Sequence, residues 1–122
     1  LVCETVDFSM KAAYERTIRL LEERPDVTAL FSVADSMAIA AMKAISDAGL
    51  SVPQDISIIA IDGIEMSLYT TPTLTTLAQP QALMGEKAVE ILVDVLDGKA
   101  SHSHVRLETT LRPGGTMGRL HP

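Results

Sequence analysis

The sequence predicts an α/β fold, a mostly parallel sheet flanked by helices. Apolar, β-favouring runs alternate along the 122 residues with segments whose apolar residues recur at helical spacing. Hydrophobic residues make up 47% of the chain, which is enough for a core, whereas aromatic residues make up only 3%. Such a core must be built from Leu, Ile, Val, Ala and Met, as in helix-covered parallel sheets. At this length the chain is one domain or one lobe of a larger domain.

A strand-like run opens the sequence at Leu1 and leads into an amphipathic helix. Apolar residues recur at helical spacing from Ser9 to about Arg24, with charged residues on the opposite side. Ser9 is a suitable N-cap, and Pro25 ends the helix because it forces the preceding residue out of helical geometry.

Residues 28–33 form a short apolar run that predicts a buried strand, and a second helix follows it. Asp35 or Ser36 can cap this helix, which runs to about Ala48 before Gly49 ends it. The later elements are a buried strand at 56–61, a turn or short helix at 64–71, a strand at 74–78, a helix at 81–97 and a strand at 104–111.

In parallel sheets, ligands bind beyond the carboxyl ends of the strands. The loops expected at that edge contain Asp7-Phe8, Ala34-Asp35-Ser36, Asp62-Gly63 and Gln79-Pro80-Gln81. Asp62 either shapes a turn or accepts hydrogen bonds from a polar ligand. Asp35 is expected to act as a helix cap more readily than as a ligand contact, and Phe8 either joins the core or stacks on an apolar ligand face.

The second helix is apolar almost all round, which indicates contacts on two sides. Lys43 belongs to its polar stripe, Ile39 lies inside that stripe and Ala40 borders it. Ile39 is either incidental on this polar face or marks a contact between subunits, and Ile39, Ala40 and Lys43 are the residues that we expect at such a contact.

Several kinds of chemistry are not supported by the sequence. The net charge of −6 disfavours binding of nucleic acid by this chain itself, and no glycine-rich nucleotide fingerprint or nucleophile elbow is present. His102 and His104 form a solvated turn more readily than a metal pair, because two further ligands are needed. The lone Cys3 forms no internal disulfide and fits a reducing compartment, and no run is apolar enough to cross a bilayer. We expect no cofactor, no metal and no catalysis.

Three segments together resemble the LacI/GalR family of bacterial transcription regulators. Residues 28–38 end in Ala-Asp-Ser-Met-Ala, similar to the family's Asn-Asp-x-Met-Ala. Residues 48–62 contain Gly-Leu-Ser-Val-Pro-Gln-Asp-Ile-Ser before a strand that ends at Asp62. Residues 72–80 read Pro-Thr-Leu-Thr-Thr-Leu-Ala-Gln-Pro, and Gly85 follows in the last long helix. The resemblance covers essentially the whole chain.

The resemblance implies one lobe, 1–122, of a periplasmic-binding-protein-like (type I) fold in which two lobes close on a small effector. The N-terminal lobe and the helix-turn-helix DNA-binding domain are absent from this chain, so operator contact is expected only through them. By position, the resemblance implies effector contacts for Phe8, Ala34, Asp35, Ser36, Asp62 and Gln81. It also implies a homodimer contact at Ile39.

The resemblance further implies a cytoplasmic regulator that acts as a repressor and binds a sugar-like effector. Ala34, Ala60-Ile61 and Gly63 depart from the family pattern, and each change removes a polar group or alters the strand end. A periplasmic or lipid-anchored sugar-binding protein of a transport system is the alternative. An α/β enzyme that uses Asp35 and Asp62 is a third interpretation, and no motif supports it.

Overall fold

The computed structural model describes residues 7–99 and 104–119, and its elements follow the predicted order. They are α1 Met10–Glu23, β1 Ala29–Phe31, α2 Asp35–Asp47, β2 Ser57–Asp62, a 3-10 helix Glu65–Leu68, β3 Thr75–Ala78, α3 Gln81–Leu96 and β4 Thr110–Arg112. The strand expected at Leu1 and the side chain of Cys3 lie outside the described residues. The chain forms two compact units, a first unit of Leu1–Ala78 with Leu111–Pro122 and a second unit of Gln79–Thr110.

The strands form one sheet in the order β1-β2-β3-β4, and both pairings between β1, β2 and β3 are parallel. The predicted mixed α/β class with a mostly parallel sheet is therefore confirmed. The expectation that residues 28–33 are a buried strand is wrong in part. Only residues 29–31 pair, and Phe31 is 61% exposed because its side chain lines an open concavity.

The core of the first unit lies between the sheet and α2. Its buried members are Ala38, Met42, Ile45, Ile56, Ile58, Ala60 and Leu74. The opposite side of α2 packs against α1, where Ala13, Met37 and Ala40 form a second buried cluster. The all-round apolar character of α2 therefore has an explanation within the chain, since one helix face meets the sheet and the other meets α1.

The helix ends follow local rules, with one correction. The Ser9 hydroxyl accepts a hydrogen bond from the Ala12 N–H at 3.0 Å, as expected of an N-cap. Gly49 ends α2 with a φ of 78°, a conformation that favours glycine. The cap predicted for α2 is wrong, because Ala34 occupies the N-cap position without a side-chain bond and Asp35 is already helical.

The second unit is a helix and an extended segment. None of the residues of α3 is buried, although the helix is largely apolar. Leu83, Met84, Val89, Leu92, Val93, Val95 and Leu96 are all exposed. The strand predicted at 104–111 is wrong for 104–109, because strand pairing starts only at Thr110. Residues 104–109 instead line a concavity of about 490 Å³ beside α3, where the side chains of Met84, Ala88 and Ile91 also lie.

Candidate functional site: the turn at Asp62

The carboxyl ends of β1 and β2 bring two of the predicted loops together. Because the strands are parallel, with Phe31 opposite Ile59, the loop after β1 and the turn after β2 share one edge of the sheet. The Gly63 N–H donates to Asp35 Oδ2 across this edge at 2.9 Å. The predicted proximity of the loops at Ala34-Asp35-Ser36 and Asp62-Gly63 is thus observed.

The backbone at this turn is strained at a residue other than glycine. Asp62 has a φ of 132°, a region that L side chains rarely adopt, and it is the one such residue among those described. A backbone of this kind costs about 1–3 kcal/mol and persists only where surrounding contacts hold it. Such strain clusters at binding and active sites, and the Asp62 side chain is half-exposed at the sheet edge.

Asp35 does not lie on the surface of this edge. Its side chain is fully buried, and its Oδ2 accepts hydrogen bonds from the N–H groups of Gly63 and Ile64, both at 2.9 Å. Its Oδ1 accepts a hydrogen bond from the Thr76 hydroxyl at 2.5 Å. The assignment of Asp35 as a ligand contact therefore does not fit its burial, since both carboxylate oxygens are used within the protein.

Arg112 binds the carbonyl groups of the same two residues. Its terminal nitrogens donate to the oxygens of Gly63 at 3.2 Å and Ile64 at 3.1 Å, and one of them also donates to the Ser67 hydroxyl. The Nε of Arg112 is buried without a hydrogen-bond partner in the described part of the chain. Sequence analysis missed this role, because nothing in the residues around Arg112 indicates that its partners lie 45–49 residues away along the chain.

Gly63 is required by close packing as well as by its backbone angle. It has a φ of 77°, and a Cβ built on it would lie 2.5 Å from the Cβ of Ala78 and 2.6 Å from its Cα. Asp62 pairs with Ala78 across the ladder of β2 and β3, so this contact is part of the sheet. The turn therefore has no room for a second side chain beside Asp62 without a shift of the backbone.

The other predicted contacts are less closely associated with this turn. Ala34 and Ser36 are half-buried at the start of α2. Phe8 is 80% exposed, so the first of its two alternatives, a place in the core, does not fit the structure. It lines a mostly apolar concavity of about 380 Å³ together with Phe31, Ser32, Val33 and Met37. Gln81 is exposed at the first position of α3, in the second unit.

The three residues predicted at a subunit contact have different surroundings. Ala40 is buried against α1, so its assignment to a dimer interface is wrong. Ile39 packs partly against the core of the first unit. Lys43 is exposed and forms an ion pair with Asp47, whose hydrogen bond raises the pKa of the Lys43 ammonium and lowers the pKa of the Asp47 carboxyl.

Neither a metal-binding cluster nor a membrane-spanning helix is found among the described residues. In residues 7–99 and 104–119, His, Cys, Asp and Glu side chains do not gather in groups of three or more that could bind a metal ion. The proposed pair of His102 and His104 lies partly outside the described residues. Across the part of the chain that the structure describes, no helix combines the length and apolar character needed to cross a bilayer.

Comparison with known proteins shows the family to which the chain belongs. A model described as a periplasmic binding protein-like domain matches residues 2–117. The "HTH-type transcriptional regulator MalR" of Clostridium butyricum is 42% identical over 105 residues, which is 86% of this chain and 31% of that protein.

Two solved structures are similar in fold and in sequence. A LacI family transcriptional regulator from Enterococcus faecium with bound ribose has a TM-score of 0.89 and 30% identity, over 99% of this chain and 44% of that one. The lac repressor dimer bound to operator and the anti-inducer ONPF has a TM-score of 0.84 and 33% identity, over 91% of this chain and 39% of that one. The chain thus spans less than half the length of each of these relatives.

Proposed function

Because the chain belongs to the periplasmic binding protein-like family and, within it, to the LacI/GalR-type transcription regulators, we propose that it is the C-terminal lobe of an effector-sensing domain. In the full-length protein this lobe and an N-terminal lobe close on a small sugar-like effector. Closure controls the binding of operator DNA by a helix-turn-helix domain. The protein acts as a cytoplasmic repressor and not as an enzyme.

The observation that carries this proposal is the turn at Asp62. A half-exposed carboxylate stands on a strained backbone at the carboxyl edge of a parallel sheet, which is where ligands bind in folds of this class. A carboxylate accepts hydrogen bonds from hydroxyl groups in fixed directions, so it suits a sugar. The ribose complex of the Enterococcus faecium regulator supports a sugar as the ligand class.

Other first contacts are assigned by position in the family. Phe8, exposed at its concavity, stacks on the apolar face of the sugar ring, and Ser36 and Gln81 supply hydrogen-bonding groups. Ala34 contacts the effector through its backbone and methyl group only. Asp35 is not included, because its oxygens are occupied within the protein.

The remainder of the full-length protein supplies the parts that this chain lacks. The chain covers 31% of the Clostridium butyricum relative. The apolar residues of α3 are exposed, and we assign their cover to the N-terminal lobe. The net charge of −6 makes this lobe a poor partner for phosphate groups, so operator contact comes from the helix-turn-helix domain.

A homodimer is the proposed assembly, with Ile39 and Lys43 of α2 at the contact. The dimeric state of the operator-bound lac repressor supports it. Ile39→Asp in the full-length protein is expected to weaken self-association in sedimentation velocity, since an unpaired carboxylate at an apolar interface is costly. Ala40 is not part of this contact, and an unaltered dimer for Ile39→Asp would argue against the use of α2.

The test of the effector site is Asp62→Ala in the full-length protein. We expect the affinity for neutral sugars, measured by calorimetry on a panel of mono- and disaccharides that begins with ribose, to fall by about 1.5–3 kcal/mol for the lost charged hydrogen bond. Asp55→Ala is the matched control, because Asp55 is an exposed carboxylate just before β2, at the opposite end of that strand. Equal losses for both variants, or none for either, would count against the assignment of Asp62.

A further inference from the structure

The buried carboxylate of Asp35 binds the backbone of the turn that follows Asp62. Its Oδ2 holds the N–H groups of Gly63 and Ile64, which are 28 and 29 residues away along the chain. Its Oδ1 is held in turn by the Thr76 hydroxyl on β3. Burial of a carboxylate is costly unless hydrogen bonds satisfy it, and three donors meet that requirement here.

Arg112 complements these bonds on the same two residues. It donates to the carbonyl oxygens of Gly63 and Ile64, so the turn is held through both its N–H and its C=O groups. The segment that carries Arg112 is itself anchored. The buried Thr116 hydroxyl donates to the Ile58 carbonyl at 2.7 Å and accepts from the Thr75 N–H at 2.9 Å.

We propose that Asp35 and Arg112 are positioning residues that together fix the peptide units after Asp62 and thereby orient its carboxylate for the effector. This inference rests on the proposed effector contact of Asp62, but the restraint on the turn is independent of any ligand. Neither residue touches the effector. Both act through the backbone of Gly63 and Ile64.

The strain at Asp62 explains why two restraints are needed. A residue with a φ of 132° relaxes towards a more favourable angle when its neighbours are free to move. The same restraint fixes Gly63 against Ala78, where a Cβ does not fit. Position 63 therefore adds no second side chain beside Asp62, and the precision with which the Asp62 carboxylate is placed depends on the buried groups behind it.

The experiment compares variants that delete or preserve the bonds of Asp35 in the full-length protein. Asp35→Ala removes the acceptor for both N–H groups. Asp35→Asn preserves it, because the amide oxygen accepts both N–H bonds while the amide NH₂ donates to the Thr76 hydroxyl, which serves as donor or acceptor. Asp47→Asn is the matched control, a carboxylate-to-amide change at the far end of the same helix.

The measurement is hydrogen–deuterium exchange followed by mass spectrometry. For Asp35→Ala we expect amide exchange in a peptide covering residues 60–68 to be faster by about tenfold or more, since two bonds to a charged acceptor are lost. Asp35→Asn is expected to stay within about threefold of the wild type, and Asp47→Asn to match the wild type. Exchange in a peptide covering residues 38–46 of α2 is expected to be unchanged in all three variants.

Equal exchange at residues 60–68 in Asp35→Ala and wild type would overturn the proposal, as would a lack of rescue by Asp35→Asn. If exchange in α2 shows that Asp35→Ala is globally unfolded, the Arg112→Lys variant is used to test the proposal instead. A lysine offers a point charge and not a planar fork, so it cannot hold both carbonyls in the same geometry. Faster exchange confined to residues 60–68 in Arg112→Lys supports the proposal, and wild-type exchange there overturns it.

Titration with ribose and the rest of the neutral sugar panel separates this inference from the proposed function. If the wild type binds a sugar, the proposal expects Asp35→Ala to lose affinity and Asp35→Asn to keep most of it. Wild-type affinity in an Asp35→Ala variant with a loosened turn would overturn the link to the effector. If the wild type binds none of the sugars, the proposed ligand class fails, and the exchange data alone support or overturn the restraint on the turn.

Discussion

The first and second units of the chain each contain a largely apolar helix, but the two helices differ in how far their side chains are buried. In the first unit α2 is enclosed by the sheet on one side and by α1 on the other, and eight of its residues are buried. In the second unit α3 has no buried residue. Apolar composition therefore predicts that a helix needs partners, but the partners decide whether it is buried.

The same contrast governs which backbone conformations each unit tolerates. The first unit supports a non-glycine residue at positive φ, at Asp62, because buried groups hold the turn that follows. The second unit ends its helix at Gly98, with a φ of 70°. A site that depends on strain requires a surrounding core, and within this chain only the first unit has one among its described residues.

The largest effect is expected when the same truncation is made in both units of the 122-residue chain. Leu74 is fully buried and Leu92 is 57% exposed. Leu74→Ala should lower the free energy of unfolding by about 3 kcal/mol, because it leaves a cavity in a packed core. Leu92→Ala should lower it by less than about 1 kcal/mol, because the leucine is mostly in solvent. Urea denaturation followed by circular dichroism measures both, and similar costs would contradict the contrast between the units.

The second largest effect is expected when Leu92→Ala is made in the full-length protein. If the N-terminal lobe covers α3, the leucine is buried there and its truncation should cost about 2 kcal/mol. Glu90→Ala serves as the control on a charged position of the same helix, where little change is expected in either context. If Leu92→Ala lowers the free energy of unfolding by the same small amount in the 122-residue chain and in the full-length protein, the N-terminal lobe does not cover α3.

The sequence predicted the elements well because their signals are local. The cap at Ser9, the glycine at position 49 and the apolar run of β2 each depend on a few neighbouring residues, and each is observed. The strand predicted over 104–109 failed because alternation of residue types does not supply a partner strand.

The candidate site was only partly predictable for the opposite reason. Asp62 was proposed from the sequence because it ends a buried strand, which is a local signal. The hydrogen bonds of Asp35 could not be predicted in this way, because its partners are Gly63, Ile64 and Thr76, at least 28 residues away. Arg112 was missed on the same grounds. Local spacing indicates where a loop lies, whereas the tertiary contacts determine which of its side chains, such as that of Asp35, are bound within the protein.

The third prediction concerns the strain at Asp62. Asp62→Gly should be more stable than Asp62→Ala by about 1 kcal/mol, since glycine adopts positive φ at no steric cost. Both variants remove the side chain, so its interactions cancel in the comparison. At ordinary positions alanine is the more stable of the two. Gly98→Ala is the matched test in the second unit, where strain at a φ of 70° should again favour glycine. An Asp62→Ala variant as stable as Asp62→Gly would mean that the turn relaxes freely.

The smallest effect is expected at the exposed surface between α1 and α2. The Tyr14 hydroxyl donates to Asp47 at 2.8 Å, and Lys43 donates to the same carboxylate. The hydrogen bond from Lys43, followed by that from Tyr14, lowers the pKa of Asp47 below its ordinary value. A carboxyl with a lowered pKa in the folded state stabilises the fold above its unfolded pKa, and this contribution is lost as the pH falls through the folded value.

Asp47→Asn should therefore lower thermal stability slightly near neutral pH and match the wild type at pH 2, so that its decline below about pH 4, the ordinary range of an aspartate, is flatter. Tyr14→Phe should reduce the same decline by a smaller amount, because the bond from Lys43 remains. Thermal melts across pH 2–7 at two salt concentrations provide the measurement, and salt should weaken the difference since these groups are exposed. A variant whose pH profile matches the wild type at low salt would show that this surface network adds nothing to the packing of α1 on α2. That packing would then rest on the cluster of Ala13, Met37 and Ala40 and on the partly buried residues that pack against it.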